Sequence, residues 1–503
     1  MRWTEAATVA REAAHAWTRE QGPGGAILLF DRHDLRAEAC GGLSSLELGL
    51  PFTAGSAVRY ASISKHFLSA LLLTGAPIAL DDTLGQHLDL RPTLAAVPIA
   101  RALDMTGGLP DTMEALWQLG VSPTTSLDRD ALLGFVQSLD GLNFVPGAEI
   151  SYSNTGYRLV QAALAAKGID YAGELHARFF APLGLGITLP EDETDPVPHL
   201  AGGYWKSPRG WLRGRYGLHI SASGGLAGSA ADLMAWCQAL LCGTGPADGL
   251  LARLGALRAF ADGTPSQYGL GLARSPVPGL IAIGHGGSLP GFKNHFLLAP
   301  ESGAGVVVVS NREDTDAHGI ALSVMAALAG ARLAAPATGI LPAGRFVAED
   351  APYWLEHQAG VVTFLGAAET VYPAGDGVEG RSVHLPIALR AIPGGLEGCI
   401  GHRPYTFRPV APGLGAQPSW AGTWINSSQN ASLTVEVHDG NARLISGSGP
   451  QRSITVLDPL SPTLALAERG GGGPWRQRLA LDFSGPTLRL VTNRCRMLHF
   501  ERA

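Results

Sequence analysis

Lysine is rare in this chain, and one lysine follows a serine at a spacing that could do chemistry. Only 4 of the 37 basic residues are lysines, and in the segment ASISKHFLSALLL Lys65 comes three residues after Ser62. If this apolar segment is a buried helix, the two side chains are neighbours on one face. Burial lowers the pKa of a lysine, and a neutral amine can take a proton from a serine hydroxyl, whereas an arginine stays protonated. The pair predicts a serine nucleophile that a lysine activates.

Two further segments could supply the other groups of such a site. FVPGAEISYSNTGYRL places Tyr152 and Asn154 in a loop before an apolar helix, where a tyrosine can relay protons and an asparagine can position an amide. IAIGHGGSLPGF places His285 and Gly287 near the end of a predicted strand. There a glycine admits a close substrate backbone, and the histidine adds a group that can be charged. Taken alone, each segment is more often an ordinary helix start or a hairpin with a solvent-facing histidine.

Together, the order Ser-x-x-Lys, Tyr-x-Asn, His-x-Gly resembles the serine β-lactamase and penicillin-binding superfamily, and more specifically the class C β-lactamase-like serine hydrolases. LDMTGGLPD at 103–111 and SGGLAGSAADLMAW at 223–236 are also similar to segments of that family. Asp104 or Met105 stands where histidine is common in the first of these segments. The resemblance covers about residues 1–330.

This resemblance implies a role for each residue of the motifs. Ser62 would be the nucleophile, and Lys65 and Tyr152 would form the proton-transfer pair. Asn154 would orient the substrate. His285, which stands where many relatives have lysine, would support the proton relay or bind the anionic side of the substrate.

Backbone groups would complete the implied site. The oxyanion hole would consist of the N–H groups of Ser62 and Ser288, with Gly287 beside the substrate on the same strand. The reaction would form an acyl-enzyme and then hydrolyse it. We expect no metal and no cofactor, because the sequence has no HExxH motif and no Walker A loop.

The elements that must position these residues form three predicted domains. Residues 1–334 are predicted to be an α+β, β-lactamase/transpeptidase-like catalytic domain with an antiparallel sheet, whose late strands are YGLGLA, GLIAIGHGG, FKNHFLLAP and AGVVVVSN. A linker rich in proline, glycine and alanine follows at 335–344. Residues 345–412 and 417–503 contain short strand patterns separated by turn residues, which predicts two small antiparallel β-barrels.

A catalytic domain of this type followed by two barrels resembles the D-stereospecific aminopeptidases, which release an N-terminal D-amino acid from peptides, amides or esters. In that group a loop of the last domain restricts the active site, and AERGGGGPWRQ at 467–477 would be its counterpart. Glu468 in this loop could bind the ammonium group of a small peptide or amide substrate, or the loop could be a solvated hairpin turn. The alternatives are a promiscuous esterase or DD-peptidase-like hydrolase of the same fold and a catalytically silent ligand-binding protein.

The composition argues against several other partners. The formal net charge is −6 without a long basic run, so we expect no nucleic acid partner. No 18-residue stretch is apolar, and the N-terminus lacks the apolar core of a signal peptide, so we expect no membrane span and a cytoplasmic location. Three isolated histidines, His199, His219 and His295, are expected to be structural. A homodimer is left open as an oligomeric state.

Overall fold

Helices and strands alternate in the N-terminal part of the chain. The computed structural model describes residues 1–470 and 473–503. The α-helices are α1 (Trp3–Arg19), α2 (Lys65–Leu73), α3 (Pro92–Ala95), α4 (Ile99–Leu103), α5 (Thr112–Gln118), α6 (Arg129–Ser138), α7 (Thr155–Ala166), α8 (Tyr171–Leu175), α9 (Ala181–Leu183), α10 (Ala230–Cys242), α11 (Leu250–Leu254) and α12 (Ala317–Ala329). The strands of this part are β1 (Gly25–Asp31), β2 (Leu35–Gly41), β3 (Leu43–Ser45), β4 (Leu50–Pro51), β5 (Ala57–Arg59), β6 (Tyr204–Ser207), β7 (Gly210–Arg213), β8 (Ala227–Ser229), β9 (Arg258–Ala259), β10 (Pro265–Ser266), β11 (Ala273–Val277), β12 (Leu280–Leu289), β13 (Phe292–Ala299) and β14 (Ala304–Ser310).

A six-stranded antiparallel sheet lies at the centre of this part, in the order β11-β12-β13-β14-β1-β2. Successive side chains of a strand point to opposite faces, so each apolar strand supplies two cores. Ile27 and Val308 face helices α1 and α12, whereas Leu28 and Val307 belong to the larger core with Phe67 of α2. The predicted α+β fold with an antiparallel sheet is confirmed.

One predicted strand is wrong. The segment YGLGLA, residues 268–273, forms a bend, and strand β11 begins at its last residue. Gly271 has a positive φ of 81°, and a Cβ atom there would lie 2.7 Å from the Cα atom of His66. The glycines therefore let this segment pack closely against the start of α2 instead of extending the sheet.

Two closed barrels follow, as predicted. The first contains β15 (Gly344–Ala348), β16 (Trp354–Gln358), β17 (Val361–Phe364), β18 (Ala367–Ala374), β19 (Gly377–Gly380), β20 (Ile387–Ile392), β21 (Gly395–Ile400) and β22 (Arg403–Pro409). The second contains β23 (Gly422–Asn426), β24 (Ala431–His438), β25 (Asn441–Ser446), β26 (Ser453–Ser461), β27 (Leu464–Gly470), β28 (Arg476–Asp482), β29 (Leu488–Val491) and β30 (Leu498–Arg502). Each is closed by pairing between its first and last strands. The domain boundaries themselves stay a prediction.

The segment between β29 and β30 connects the second barrel to the N-terminal part through hydrogen bonds. The backbone N–H of Asp111 donates to the carbonyl oxygen of Arg494 at 2.8 Å. The side-chain amide of Gln118 donates to the carbonyl oxygen of Cys495 at 2.7 Å. These bonds fix the backbone at Arg494 and Cys495. None of the helices in residues 1–470 and 473–503 is long and apolar enough to cross a membrane.

Candidate active site

The predicted nucleophile lies at a break in the helix that the sequence predicts. Residues Ala61–Ser64 form a 3-10 helix, and α2 begins only at Lys65. Ala61 has a φ of 53°, in the left-handed region that residues with a Cβ atom rarely adopt. Such strained conformations concentrate at functional sites. Despite the break, the Nζ atom of Lys65 lies 3.1 Å from the Oγ atom of Ser62.

Lys65 is completely buried and is surrounded by hydrogen-bond acceptors. Besides Ser62, its Nζ atom contacts Oδ1 of Asn154 at 2.8 Å and the carbonyl oxygen of Ser223 at 2.6 Å. Burial lowers the pKa of Lys65 well below its usual value, and the positive charge of Arg494 lowers it further, although Asp111 opposes the shift. The amine therefore loses its proton far more easily than an exposed lysine.

The surroundings of Lys65 also direct its lone pair. The carboxylate of Asp111 accepts from both the backbone N–H and the side-chain NH2 of Asn154, each at 2.8 Å. The Asn154 amide is therefore oriented with Oδ1 towards Lys65. A neutral amine then donates its two hydrogens to Asn154 and to the carbonyl of Ser223. Its lone pair remains for the hydroxyl proton of Ser62.

Tyr152 lies between two cations. Its ring centroid is 4.7 Å from Nζ of Lys65 and 4.6 Å from the guanidinium carbon of Arg494. Its hydroxyl is buried beside Ser62, yet it has no well-aligned hydrogen-bond partner within the described ranges. Burial raises the pKa of Tyr152 above its usual range, although Ser62 and Arg494 oppose the shift. The phenol is therefore protonated and has a hydroxyl free to bond a substrate atom.

His285 was predicted to support the proton relay or to bind an anionic substrate group. The structure argues against the second role, and the first stays a prediction. The Nδ1 atom of His285 donates to the carbonyl oxygen of Gly286 at 2.5 Å, so Nε2 accepts from the hydroxyl of Tyr268 at 3.0 Å. Burial lowers the pKa of His285 to about 3, helped by the nearby charge of Lys65. Uncharged and bonded through both nitrogens, His285 cannot serve as the cation that binds an anionic substrate group.

The edge of strand β12 carries the predicted oxyanion donor. Leu289 pairs with Phe292 across a two-residue turn, so Ser288 is at a position whose N–H points away from β13. On the side of β12 that faces away from β13, the described strand β11 pairs with β12 only as far as Gly284. The N–H of Ser288 is therefore directed to an open sheet edge.

Gly287 is needed for a different contact from the predicted one. A Cβ atom at this position would lie 2.0 Å from the carbonyl oxygen of Tyr60. The missing side chain lets strand β12 approach the backbone just before Ser62. It thereby brings Ser62 and Ser288 to the same cavity, which has a volume of about 710 Å³.

The second barrel reaches this cavity through Pro474, Trp475 and Arg476. Nε1 of Trp475 donates to Glu313 at 3.0 Å, and Glu313 forms an ion pair of 2.7 Å with Lys293. Pro474, Trp475 and Arg476 belong to the predicted loop 467–477. Residues 471 and 472 of this loop lie outside the described residues.

The structure does not bring Glu468 to the cavity. Its carboxylate forms an ion pair with Arg476 at 2.9 Å on the barrel surface, and it is half exposed. Glu468 is on strand β27, opposite Arg478, and does not line the cavity. An exposed, paired carboxylate outside the cavity is a poor receptor for a substrate ammonium group.

Several lining residues were missed by the sequence analysis. Arg381 and His384 come from the loop between β19 and β20, and Arg494 comes from the second barrel. The His384 ring lies 5.0 Å from the ring of Tyr152. His295, predicted to be structural, also lines the cavity. No motif marks barrel loops, so sequence spacing could not have found these contacts. No group of histidine, cysteine or acidic residues in the described part of the chain is arranged to hold a metal ion.

Comparison with known proteins identifies the family of the chain. The family model described as Beta-lactamase matches residues 9–330, well over half of the chain. The chain belongs to the beta-lactamase family. Two relatives of this family member, each named D-aminopeptidase, come from strains of Cereibacter sphaeroides and are 28% identical to it. One alignment covers 69% of this chain and 66% of the relative, and the other covers 87% of each.

Solved structures share the fold of this beta-lactamase family member. The octameric penicillin-binding protein homologue from Pyrococcus abyssi aligns over 98% of both chains, with a TM-score of 0.57 and 17% identity. The D-amino acid amidase from Ochrobactrum anthropi SV3, complexed with D-phenylalanine, aligns over 65% of this chain and 98% of its own, with a TM-score of 0.55 and 21% identity. At these identities the likeness concerns the fold alone.

Proposed function

We propose that this protein is a serine hydrolase that releases N-terminal D-amino acids from peptides, amides or esters through an acyl-enzyme on Ser62. The observation that carries the proposal is the environment of Lys65. The amine is fully buried and lies 3.1 Å from Oγ of Ser62. Its other two contacts are acceptors, so a neutral Lys65 is prepared to remove the hydroxyl proton.

In the first step Lys65 takes the proton of Ser62, and Oγ attacks the carbonyl carbon of the scissile bond. The electron pair of the carbonyl moves to its oxygen. The N–H groups of Ser62 and Ser288 stabilise the resulting negative charge, an interaction that grows in the transition state.

In the second step the tetrahedral intermediate collapses and the C–N bond breaks. The leaving nitrogen takes up the proton held by Lys65, relayed through the hydroxyl of Tyr152. The raised pKa of Tyr152 keeps this hydroxyl protonated between transfers. Water then attacks the ester carbonyl and gives a proton to the same pair. The bond between the carbonyl carbon and Oγ breaks, Oγ of Ser62 takes that proton back, and the amino acid leaves.

The D-amino acid specificity rests on the names of the relatives, several of which are D-aminopeptidases. An aminopeptidase needs a carboxylate for the substrate ammonium group. With Glu468 outside the cavity, the proposal assigns no single carboxylate to this task. Glu114 lines the cavity, but its Oε2 atom already accepts from the hydroxyl of Thr492 at 2.6 Å and from the backbone N–H of Arg494 at 2.8 Å, and burial raises its pKa.

The decisive experiment compares release of p-nitroaniline from D-Ala-p-nitroanilide and L-Ala-p-nitroanilide. Turnover of the D form alone, abolished in Ser62→Ala, is the expected result. Ser69→Ala is the matched control, because Ser69 is buried on the following helix and does not line the cavity. Activity that survives in Ser62→Ala would refute the proposed nucleophile.

Two other outcomes would favour the alternatives. Cleavage of p-nitrophenyl esters that depends on Ser62, without cleavage of either anilide, would favour a promiscuous esterase. A reactive acyl probe that fails to modify Ser62, as judged by mass spectrometry, would favour a silent ligand-binding protein.

A further inference from the structure

The first barrel borders the cavity beside Tyr152. The loop between β19 and β20 lines the cavity with Arg381 and His384. The His384 ring lies 5.0 Å from the Tyr152 ring and 5.1 Å from the His285 ring. In the proposed reaction Tyr152 hands a proton to the leaving nitrogen. The group attached to that nitrogen therefore extends past His384 and along this loop.

Arg381 carries an uncompensated positive charge at this end of the cavity. Its guanidinium carbon lies 3.3 Å from the ring centroid of Tyr372, and Nη2 donates to the carbonyl oxygen of Ala334 at 3.3 Å. These two contacts hold the side chain in place. Within residues 1–470 and 473–503, no carboxylate forms an ion pair with Arg381.

The other cations that line the cavity have carboxylate partners. Lys293 pairs with Glu313 at 2.7 Å. Arg476 pairs with Glu468 at 2.9 Å. Arg494 lies 3.9 Å from Glu114. Arg381 is therefore the cation whose partner a substrate would have to supply.

Two carboxylates near this end do not cancel that charge. Asp316 lines the cavity, but its Oδ1 atom accepts from the backbone N–H of Gly319 in the first turn of α12. The positive end of the helix dipole offsets the charge of such a capping carboxylate. Glu369 is beside Ser382, and burial raises its pKa to about 7, so it is protonated in much of the population near neutral pH. Glu369 does not line the cavity.

We propose that Arg381 binds the terminal carboxylate of the leaving group, so that the preferred substrates are short peptides with a free C-terminus. Arginine suits this task, because its planar guanidinium matches a carboxylate in two parallel hydrogen bonds. The cavity of about 710 Å³ has the size of a site for a small ligand. Loops of both barrels line it, so a short leaving group can reach Arg381. This inference rests on the proposed function and defines its substrate class.

The test compares kcat/KM for D-Ala-Gly and D-Ala-Gly-Gly with kcat/KM for the corresponding C-terminal amides. Release of D-alanine is followed with a coupled oxidase. The free acid of at least one pair should be preferred by about tenfold or more, the effect expected of one charge-assisted hydrogen bond. Arg381→Gln should bring this ratio close to one, and Arg381→Lys should leave an intermediate ratio.

The ratio of kcat/KM for the free acid to kcat/KM for the amide also distinguishes a binding role of Arg381 from a structural role. A partly unfolded variant loses activity towards both members of a pair, so the ratio stays the same. Arg390→Gln is the matched control, because Arg390 is exposed on the same barrel and pairs with Glu397. The wild-type ratio should persist in this control.

Three results would overturn the inference. In the first, kcat/KM for the free acid and for the amide differs by less than threefold in the wild type at both lengths. In the second, the wild-type ratio persists in Arg381→Gln. Either of these results, with D-Ala-p-nitroanilide still hydrolysed, would refute the carboxylate receptor alone. Failure to hydrolyse any D-alanyl substrate, the anilide included, would refute the proposed function and this inference with it.

Discussion

Replacing Gly287 with alanine should separate Ser62 from the edge of strand β12 and strongly reduce activity. The added Cβ atom would lie 2.0 Å from the carbonyl oxygen of Tyr60, whereas real Cβ contacts stay beyond 3.0 Å. This carbonyl oxygen belongs to the backbone, so no side-chain rotation can relieve the contact. Tyr60 is also fixed, because its N–H donates to the carbonyl oxygen of Leu226 at 2.8 Å and its hydroxyl donates to that of Ser229 at 2.6 Å.

The size of the effect follows from this distance. Relief of the contact requires a displacement of about 1 Å between strand β12 and the segment that carries Ser62. A misplacement of that size costs on the order of 100-fold in rate. In the proposed mechanism it moves the N–H of Ser288 relative to the nucleophile, so kcat should fall more than KM rises. Overpacking should also reduce the free energy of unfolding by about 1 to 3 kcal/mol.

The assay is hydrolysis of D-Ala-p-nitroanilide at a temperature where circular dichroism shows the variant to be folded. Gly134→Ala is the control, because a Cβ atom at Gly134 in helix α6 meets no atom within 4 Å. This control should keep full activity and gain about 0.5 to 1 kcal/mol of stability. Wild-type kcat in a folded Gly287→Ala variant would refute the argument that this glycine sets the geometry of the site.

Other perturbations test the charges of the site. Lys65→Arg should lower kcat for D-Ala-p-nitroanilide by about 100- to 10,000-fold, because a guanidinium cannot accept the serine proton; more than a tenth of wild-type activity would contradict this. Arg494→Met should move the acidic limb of kcat/KM to higher pH, because the charge of Arg494 lowers the pKa of Lys65; an unmoved limb would count against Lys65 as the base. Burial lowers the pKa of His66 and His285 to about 3 and that of His219 to about 4, so the folded state binds fewer protons than the unfolded state up to pH 6.5. Stability should therefore fall as the pH drops below 6.5, by about 2 kcal/mol at pH 5 for each of His66 and His285. Thermal unfolding at pH 7 and pH 5 measures this loss of stability. His285→Gln should reduce the difference in stability between the two pH values.

Much of the fold follows from local pattern. Alternating or continuous apolar runs predict the hairpin β1–β2 and the strands β12 to β14, and close turn spacing predicts the two barrels. The wrong strand at 268–273 has a tertiary cause, because Gly271 packs against the backbone of His66. A propensity argument has no access to such a contact between segments roughly 200 residues apart.

Part of the candidate site also follows from the sequence, and part depends on the tertiary structure. Ser62 and Lys65 are three residues apart, so one turn of helical backbone brings them together whatever the rest of the chain does. The motif with Tyr152 and Asn154 was also recognisable, although its contact with Lys65 required the fold. The charge state of His285 was not predictable, because a pKa depends on burial and on neighbouring charges.

The sequence by itself determined the contact between Ser62 and Lys65, most of the strand and helix patterns and the order of a catalytic-type domain followed by two barrels. The tertiary structure alone decided that Arg381 and His384 of the first barrel and Arg494 of the second line the cavity. It also decided that Glu468 stays outside. The physical reason is that short-range geometry depends on covalent spacing, whereas contacts between domains depend on how whole surfaces pack.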